Sequence, residues 1–250
     1  MRTGRNVDNQ ARRNIRDNKP VFAGLLLVLA ILIGGFVFIH SSYFAVGKIE
    51  IRGNKVLANE EIYQVANIDP RINIFKINST QVRNRLIQDL RIQEVTVERK
   101  FPTTIILTVK ERQTVAYVPT TYGFVQVDGQ GYVLAALRSI KMMGLPMITG
   151  IKQNNPKVGD RVDTALLPIL ELLGELDEET LNTLSEVNVA SPSAIIGYTV
   201  DAIPIKFGDG GRPQEKAVLL NNVLKDVRKQ KLTVEYIDIA YGTPVLKFKR

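Results

Sequence analysis

The 250-residue sequence contains no cysteine and a single histidine, His40. Without cysteine the chain has no disulfide framework, no thiolate metal site and no cysteine nucleophile. That histidine lies at the end of a long apolar segment. The part of the chain after this segment therefore cannot form a Ser-His-Asp arrangement or a zinc site of nitrogen and sulfur ligands. We therefore expect no catalytic residue of these kinds, no metal and no cofactor.

Charged side chains are absent between Pro20 and Gly47, where residues 21–39 read VFAGLLLVLAILIGGFVFI. A helix rises ~1.5 Å per residue, so this run matches a hydrocarbon core of ~30 Å. The alternative is a buried helix of a soluble core, but such helices rarely run this far without a polar face. We predict a membrane-spanning helix within residues 20–42, which includes Val21, Leu25, Leu29, Leu32, Phe36 and Ile39.

Basic side chains are concentrated in the tail before this segment. Residues 1–20 hold six Lys or Arg and two Asp, which is half of the formal net charge of +8. The positive-inside rule then places the tail, residues 1–19, in the cytoplasm and the remainder outside. The apolar run is longer than the ~7–15 residues of a signal peptide and has no convincing small-x-small cleavage site, which predicts an uncleaved anchor. Because orientation and nearby anionic lipid explain the charge, we expect no nucleic-acid binding.

The segment 43–112 predicts a small α+β unit. Ile49 and Ile51 alternate with charged residues, as in a half-buried strand. Asn59 is placed to cap a short helix, and Asn78 or Ser79 to cap a second. Alternation around residues 95–97 and 105–109 predicts two further strands. The predicted order is β-α-α-β-β.

The segment 113–250 predicts a β-rich unit with flanking helices. Asp128-Gly129-Gln130-Gly131 has the composition of a turn between two strands. Asp163 or Thr164 is expected to cap a helix that contains Leu166 to Leu176, and Pro213 to open another. Further strands are predicted at 184–190, 194–200, 203–207, 234–240 and 244–249. The whole chain is therefore predicted to be α+β, with one transmembrane helix and two outer parts.

Aspartates offer the remaining route to catalysis. A pair drawn from Asp128, Asp160, Asp201 and Asp209 could cleave glycosides. Each of them lies beside glycine or in a predicted turn, where aspartate usually accepts backbone hydrogen bonds. The loop 208–211 precedes a helix, as phosphate-binding loops do, but it lacks the order of glycines and lysine of such a loop. We therefore interpret the aspartates and the loop 208–211 as parts of turns, and we expect no small-molecule substrate.

The carboxy-terminal hairpin predicts a binding edge. Its strands, Val234 to Tyr241 and Val245 to Phe248, end almost at the chain terminus. A terminal strand at a sheet edge presents unpaired backbone groups to which a partner can add a strand. The alternative is a solvated edge that Lys247, Lys249 and Arg250 protect from pairing.

Several segments resemble the FtsQ/DivIB cell-division proteins. The residues VGKIEIRGNKVLANEEI, NIFKINSTQVRNRLIQDL and VTVERKFPTTIILTVKERQTVAYV are similar to the POTRA domain of that family. FVQVDGQGYV, LPMITG, Phe207-Gly208-Asp209 and Tyr236 to Ile239 are similar to its second domain. Two positions depart from the family's pattern, which often has tryptophan at Phe101 and in some relatives arginine at Ala240. The resemblance implies a POTRA domain at 43–112 and a β-domain at 113–250.

The resemblance also implies a function. It implies a non-enzymatic divisome scaffold at the bacterial septum that holds FtsB/DivIC-like and FtsL-like single-span coiled-coil proteins. Their implied contact is the carboxy-terminal hairpin, through Tyr241, Val245, Leu246, Lys247 and Phe248. A POTRA-containing transport component and a membrane-anchored wall hydrolase are the alternatives. The first usually repeats the POTRA unit or continues into a barrel, and neither pattern is present.

Overall fold

The computed structural model describes residues 19–140, 144–151 and 155–249. The predicted cytoplasmic tail lies outside the described residues, apart from Lys19. The chain divides into two compact units, Met1–Glu111 and Arg112–Arg250. We describe each unit by itself.

The first element, α1 (Lys19–Ile39), is the predicted apolar helix. Its segment Val21–Ile39 has a mean hydropathy of 2.9 and no buried residue. By length and composition it can cross a membrane. The helix ends at Ile39, three residues before the predicted end, and a short 3-10 turn, Ser42–Phe44, follows. His40 is exposed, and its ring lies 2.9 Å from the carbonyl oxygen of Phe36 through Nδ1.

The remainder of the first unit has the predicted β-α-α-β-β order. Its elements are β1 (Lys48–Arg52), α2 (Asn59–Ala66), α3 (Ser79–Ile87), β2 (Ile92–Lys100) and β3 (Thr104–Glu111). The sheet order is β1-β3-β2, with β1 parallel and β2 antiparallel to β3. The core forms where apolar residues of β3 meet those of the two helices, because each helix has its apolar residues four apart: Ile62 and Ala66 in α2, Val82 and Leu86 in α3.

One of the two helix caps predicted in the first unit is correct. Asn78 Oδ1 accepts a hydrogen bond from the Gln81 N–H at 3.1 Å, as expected of a residue at the start of α3. The prediction for Asn59 is wrong, since Asn59 is the first residue within α2 and Ala58 takes the cap position. The side-chain oxygen of Asn59 instead accepts a bond from Asn54 Nδ2 at 2.9 Å.

The second unit contains the β-rich part of the chain. Its strands are β4 (Thr114–Thr120), β5 (Gly123–Asp128), β6 (Val133–Leu137), β7 (Met147–Thr149), β8 (Leu184–Asn188), β9 (Ile195–Thr199), β10 (Pro204–Gly208), β11 (Val234–Asp238) and β12 (Val245–Phe248). Its helices are α4 (Leu167–Gly174), α5 (Glu178–Thr183) and α6 (Pro213–Gln230). The strands form one mixed sheet in the order β12-β11-β10-β9-β8-β7-β4-β5-β6.

Helix α6 allows β10 and β11 to run parallel, because a parallel pair needs a long crossover connection. Pro213 opens the helix as predicted, and Lys231 ends it in a left-handed conformation. Its buried stripe joins the core of the sheet: Ala217, Leu220, Val223, Leu224 and Val227. The helix predicted to reach Leu176 is shorter than expected, since a 3-10 turn, Thr164–Leu166, precedes α4 and Gly174 ends it.

Candidate partner-binding edge

Strand β12 lies at an open edge of the nine-stranded sheet. It pairs in antiparallel fashion with β11, and no other strand among the described residues pairs with it. The register places Phe248 opposite Val234 and Val245 opposite Asp238, with a bulge near Glu235. The candidate edge therefore consists of β12 and the loop 239–244 that connects it to β11.

The outward-facing backbone groups of β12 can be identified from its register. Just beyond the strand, the Lys249 N–H donates to the Thr233 carbonyl at 3.0 Å. Backbone groups of alternate residues point to the same side of a strand, so Lys247 and Val245 also face β11. The N–H and C=O groups of Leu246 and Phe248 consequently point away from the sheet. An added strand would bond to these two residues.

The side chains of the edge differ in burial. Leu246 packs against the main core of the unit, which fixes the strand to the sheet. Val245 is 53% exposed and Phe248 52% exposed, while Tyr241 in the connecting loop is 88% exposed. The edge thus presents three large side chains to solvent beside the outward backbone groups of two residues of β12.

Charged residues of the same edge are paired within the sheet. Lys247 Nζ lies 2.8 Å from Glu235 Oε1 on β11. This hydrogen bond, with the charge of Glu235, raises the pKa of Lys247 above its usual value. Lys206 on β10 lies 4.5 Å from the ring centre of Tyr236 and 3.9 Å from an Asp238 carboxylate oxygen. Because it bonds to Glu235, the ammonium group of Lys247 is directed along the sheet toward β11.

The loop before β12 is held by local contacts. Asp238 Oδ1 accepts a hydrogen bond from the Ala240 N–H at 3.0 Å, and Gly242 has a positive φ of 83° that glycine adopts without strain. A side chain built on Gly208 would come within 3.1 Å of Ala240 Cβ, so these two residues lie close together. The small residue at position 240 suits this close approach.

The carboxylates considered for catalysis bond to their own loops. Asp128 Oδ1 accepts from the N–H groups of Gln130 and Tyr132, and its Oδ2 lies 2.5 Å from buried Arg112. Asp160 Oδ2 accepts from the Lys157 N–H at 2.8 Å. These contacts are those of turns, as the sequence predicts.

Asp209 bonds in the same way within the loop 208–211. Its Oδ1 accepts from the Gly211 N–H at 2.9 Å and lies 3.3 Å from Lys216 Nζ. The Gly211 N–H, then the bond and charge of Lys216, lower the pKa of the Asp209 carboxyl. Across the described residues, no cluster of three or more possible metal ligands is found.

Sequence reasoning did not identify the residues that support the edge. No supporting role is predicted from the sequence for Glu235 or Lys206, although Glu235 and Lys247 occupy neighbouring strands of the predicted hairpin. Opposite charges at predicted cross-strand positions would have indicated that pair. Lys206 could not be found in this way, because its position depends on the parallel pairing of β10 with β11.

Family models match both parts of the chain that follow α1. The model described as POTRA domain, FtsQ-type, matches residues 44–112, and the model described as Cell division protein FtsQ/DivIB, C-terminal, matches residues 116–240. The chain belongs to the FtsQ/DivIB family of cell division proteins. The second model includes β11 but ends before Tyr241 and β12.

Individual FtsQ/DivIB proteins match along most of the chain. The cell division protein FtsQ of Geobacter sp. is 25% identical over 261 residues, which cover 95% of this chain and 94% of that protein. The cell division protein DivIB of Clostridium acetobutylicum is 25% identical over 214 residues, which cover 83% and 84%. The solved extracytoplasmic domain of Geobacillus stearothermophilus DivIB is 17% identical and covers 50% of this chain and 99% of its own, with a TM-score of 0.34.

Proposed function

We propose that this FtsQ/DivIB-family chain is a non-enzymatic scaffold of the bacterial division septum. In this proposal α1 is a single-pass anchor, with the amino terminus in the cytoplasm and both outer units beyond the membrane. The second unit holds FtsB/DivIC-like and FtsL-like single-span coiled-coil proteins, while the POTRA domain contributes to recruitment. The observation that carries the proposal is the open edge at β12.

Strand addition to β12 is supported by its backbone. The outward N–H and C=O groups of Leu246 and Phe248 provide main-chain affinity, and the exposed side chains beside them provide specificity. An edge that evolved only to remain solvated would be expected to direct its charges outward. Here Lys247 is paired with Glu235, so its charge is partly neutralised within the sheet.

Apolar anchors support the same proposal. Large aromatic side chains contribute most to the binding energy of many interfaces. Tyr241 and Phe248 are 88% and 52% exposed, and they flank the open backbone in the chain. Because position 240 is alanine, an arginine salt bridge is not available there, and binding would depend on apolar contact and main-chain bonds.

A non-enzymatic role is supported by the state of the carboxylates. Asp128 is engaged by Arg112 and two amides, and Asp209 by Lys216 and one amide. A retaining or inverting glycosidase needs two carboxyl groups placed ~5–10 Å apart and free to contact the substrate. Within the described residues, no structural feature specifically favours a hydrolase function.

Photo-crosslinking in living cells tests the proposal. A photoreactive amino acid replaces Tyr241 or Phe248 in the full-length chain, and captured proteins are identified by mass spectrometry. We expect small single-span coiled-coil division proteins from both positions. The control position is Tyr122, which is 81% exposed and lies in the β4–β5 turn of the same unit. Equal capture from Tyr122, or capture of no such protein, would contradict the assignment of the edge.

A further inference from the structure

Five aromatic rings form a continuous series from α1 onto the first outer unit. Ring centres are separated by 5.3 Å from Phe38 to Phe44, 5.2 Å from Phe44 to Phe75 and 5.0 Å from Phe75 to Phe101. Tyr43 lies beside Phe38 and Phe44 at 5.9 and 5.1 Å. We call these five residues the aromatic ladder. They come from three separate parts of the chain: α1 with its following turn, the segment between α2 and α3, and the β2–β3 turn.

Much of the aromatic ladder is not covered by protein. Tyr43 is 60% exposed, Phe75 45% and Phe101 54%, whereas Phe44 packs against the core. Three side chains of one ring series, each with about half of its surface exposed, form an apolar patch, and such patches mark binding surfaces. The two charged residues next to them in sequence, Lys76 and Lys100, are exposed as well.

Hydrogen bonds fix this patch at the end of α1. Asn73 Nδ2 donates to the Ile39 carbonyl at 2.8 Å, directly where the helix ends. The Val46 N–H donates to the Ile72 carbonyl, and the Gly47 N–H to the Thr103 carbonyl, both at 2.9 Å. The segments that carry Phe75 and Phe101 are thereby tied to the chain as it leaves the apolar helix.

We propose that a lipid bilayer covers the aromatic ladder. The exposed rings of Tyr43, Phe75 and Phe101 lie in the interfacial layer of the leaflet at which α1 ends, so that the first outer unit rests on the membrane. This inference depends on the proposed spanning role of α1. Tyrosine favours this layer because its ring is apolar and its hydroxyl is polar, and phenylalanine is common on the apolar faces of helices that lie in the layer. Lys76 and Lys100 extend their ammonium groups toward lipid phosphates, as basic side chains at membrane surfaces do.

Tryptophan fluorescence tests the proposal, because the chain contains no tryptophan. Phe75→Trp and Phe101→Trp are made separately in the full-length chain, which is reconstituted at low density into phosphatidylcholine vesicles. The vesicles contain lipids brominated at either a shallow or a deep acyl position. Both variants are expected to emit at shorter wavelength than a solvated tryptophan and to be quenched more by the shallow than by the deep bromines.

Two further variants provide the controls. Val56→Trp places the probe at a residue that is 89% exposed and whose N–H bonds to Glu111, at the opposite end of β3 from the aromatic ladder. It should be quenched by aqueous iodide and not by lipid. Leu29→Trp places the probe near the middle of α1 and should be quenched most by the deep bromines.

The outcomes separate this inference from the function proposed above. If Leu29→Trp is quenched by lipid but Phe75→Trp and Phe101→Trp respond like Val56→Trp, the bilayer does not cover the ladder. If Leu29→Trp is not quenched, the anchor itself is contradicted and the inference falls with it. A short-wavelength emission from Phe101→Trp that depends on protein density and not on brominated lipid would indicate a second copy of the chain, which also overturns the proposal.

Discussion

Lys216 is the most deeply buried charged residue that the structure describes in the second unit, with 1% of its surface exposed. Its Nζ donates to the Phe207 carbonyl at 2.7 Å and lies 3.3 Å from Asp209 Oδ1. One amino group on the first turns of α6 therefore holds the end of β10 and the glycine-rich loop 208–211 together. That loop resembles a phosphate-binding loop in composition, but its polar groups are bonded to side chains of the chain itself.

Replacing Lys216 tests this role. In Lys216→Met the aliphatic part is retained, but the Phe207 carbonyl loses its charged donor. We expect the free energy of unfolding of the chain to fall by about 1–3 kcal/mol, the usual cost of an unsatisfied buried group. Urea denaturation followed by circular dichroism measures it. Lys225→Met, at an exposed position of the same helix, should change it by less than ~0.5 kcal/mol. Equal stability of the two variants would show that the buried contacts contribute little.

The loop 53–57 depends on a carboxylate from β3. Glu111 accepts hydrogen bonds from the N–H groups of Lys55, Val56 and Leu57 at 2.8–2.9 Å. Desolvation alone would raise the pKa of Glu111, but these three bonds outweigh it, and the pKa is lowered from its usual value of 4.5. A single side chain thus connects the turn after β1 to the end of the central strand.

This lowered pKa predicts a dependence of stability on pH. A carboxyl whose pKa is lower when folded stabilises the fold fully above its unfolded pKa, and the contribution is lost as the pH falls through the folded value. The glutamine of Glu111→Gln remains uncharged throughout. The difference in free energy of unfolding between wild type and Glu111→Gln should therefore be constant near neutral pH and shrink below about pH 4.5. Denaturant titrations over that range measure it, and a difference independent of pH would rule out this role for the charge.

At the scale of elements, the open edge of β12 permits a test that separates backbone from side chain. Phe248→Ala and Phe248→Pro both remove the ring, but only proline removes the outward N–H. That N–H does not bond to β11, so proline leaves the hairpin intact. We expect partner capture from Tyr241 to fall in both variants and further in Phe248→Pro. Circular dichroism checks that both remain folded, and equal capture would contradict strand addition.

The local elements were predicted where one face is buried and the period is clear. Alternation at Ile49 and Ile51 gave β1, and Pro213 gave the start of α6. Strand β4 was missed because Val115, Ala116, Tyr117 and Val118 are all buried, so it shows no alternation. The predicted cap at Asn59 is wrong because α2 begins at Asn59 itself, with Ala58 at the cap position, and the Asn59 side chain bonds to Asn54 instead.

Only part of the candidate edge could be predicted from the sequence. A strand at the carboxyl terminus could be predicted to lie at an edge, and β12 does lie there. The place of this hairpin in the larger sheet could not be predicted, since the parallel pairing of β10 with β11 joins residues 32 positions apart through α6. The binding role of Tyr241, Val245, Leu246, Lys247 and Phe248 remains a prediction.

At the scale of the whole molecule, the direction of the chain across the membrane is the proposal's most general prediction. Because the chain has no cysteine, single cysteines can report on it without background. In spheroplasts we expect Tyr122→Cys, in the outer part, to react with a membrane-impermeant maleimide. Thr3→Cys, in the basic tail, should react only after the membrane is opened. The reverse labelling pattern would show the opposite topology, in which extracytoplasmic partners could not reach β12.

The junction between the apolar helix and the remainder of the first unit has a mechanical consequence. Only residues 40–47 separate α1 from β1, and bonds from Asn73 and to Thr103 hold that stretch to the unit. A connection this short and held by these bonds does not act as a flexible joint. A rotation of the helix about its own axis would therefore turn the unit with it. A neighbouring helix that packed against Gly34 and Gly35 would therefore fix the orientation of the unit about the axis of α1.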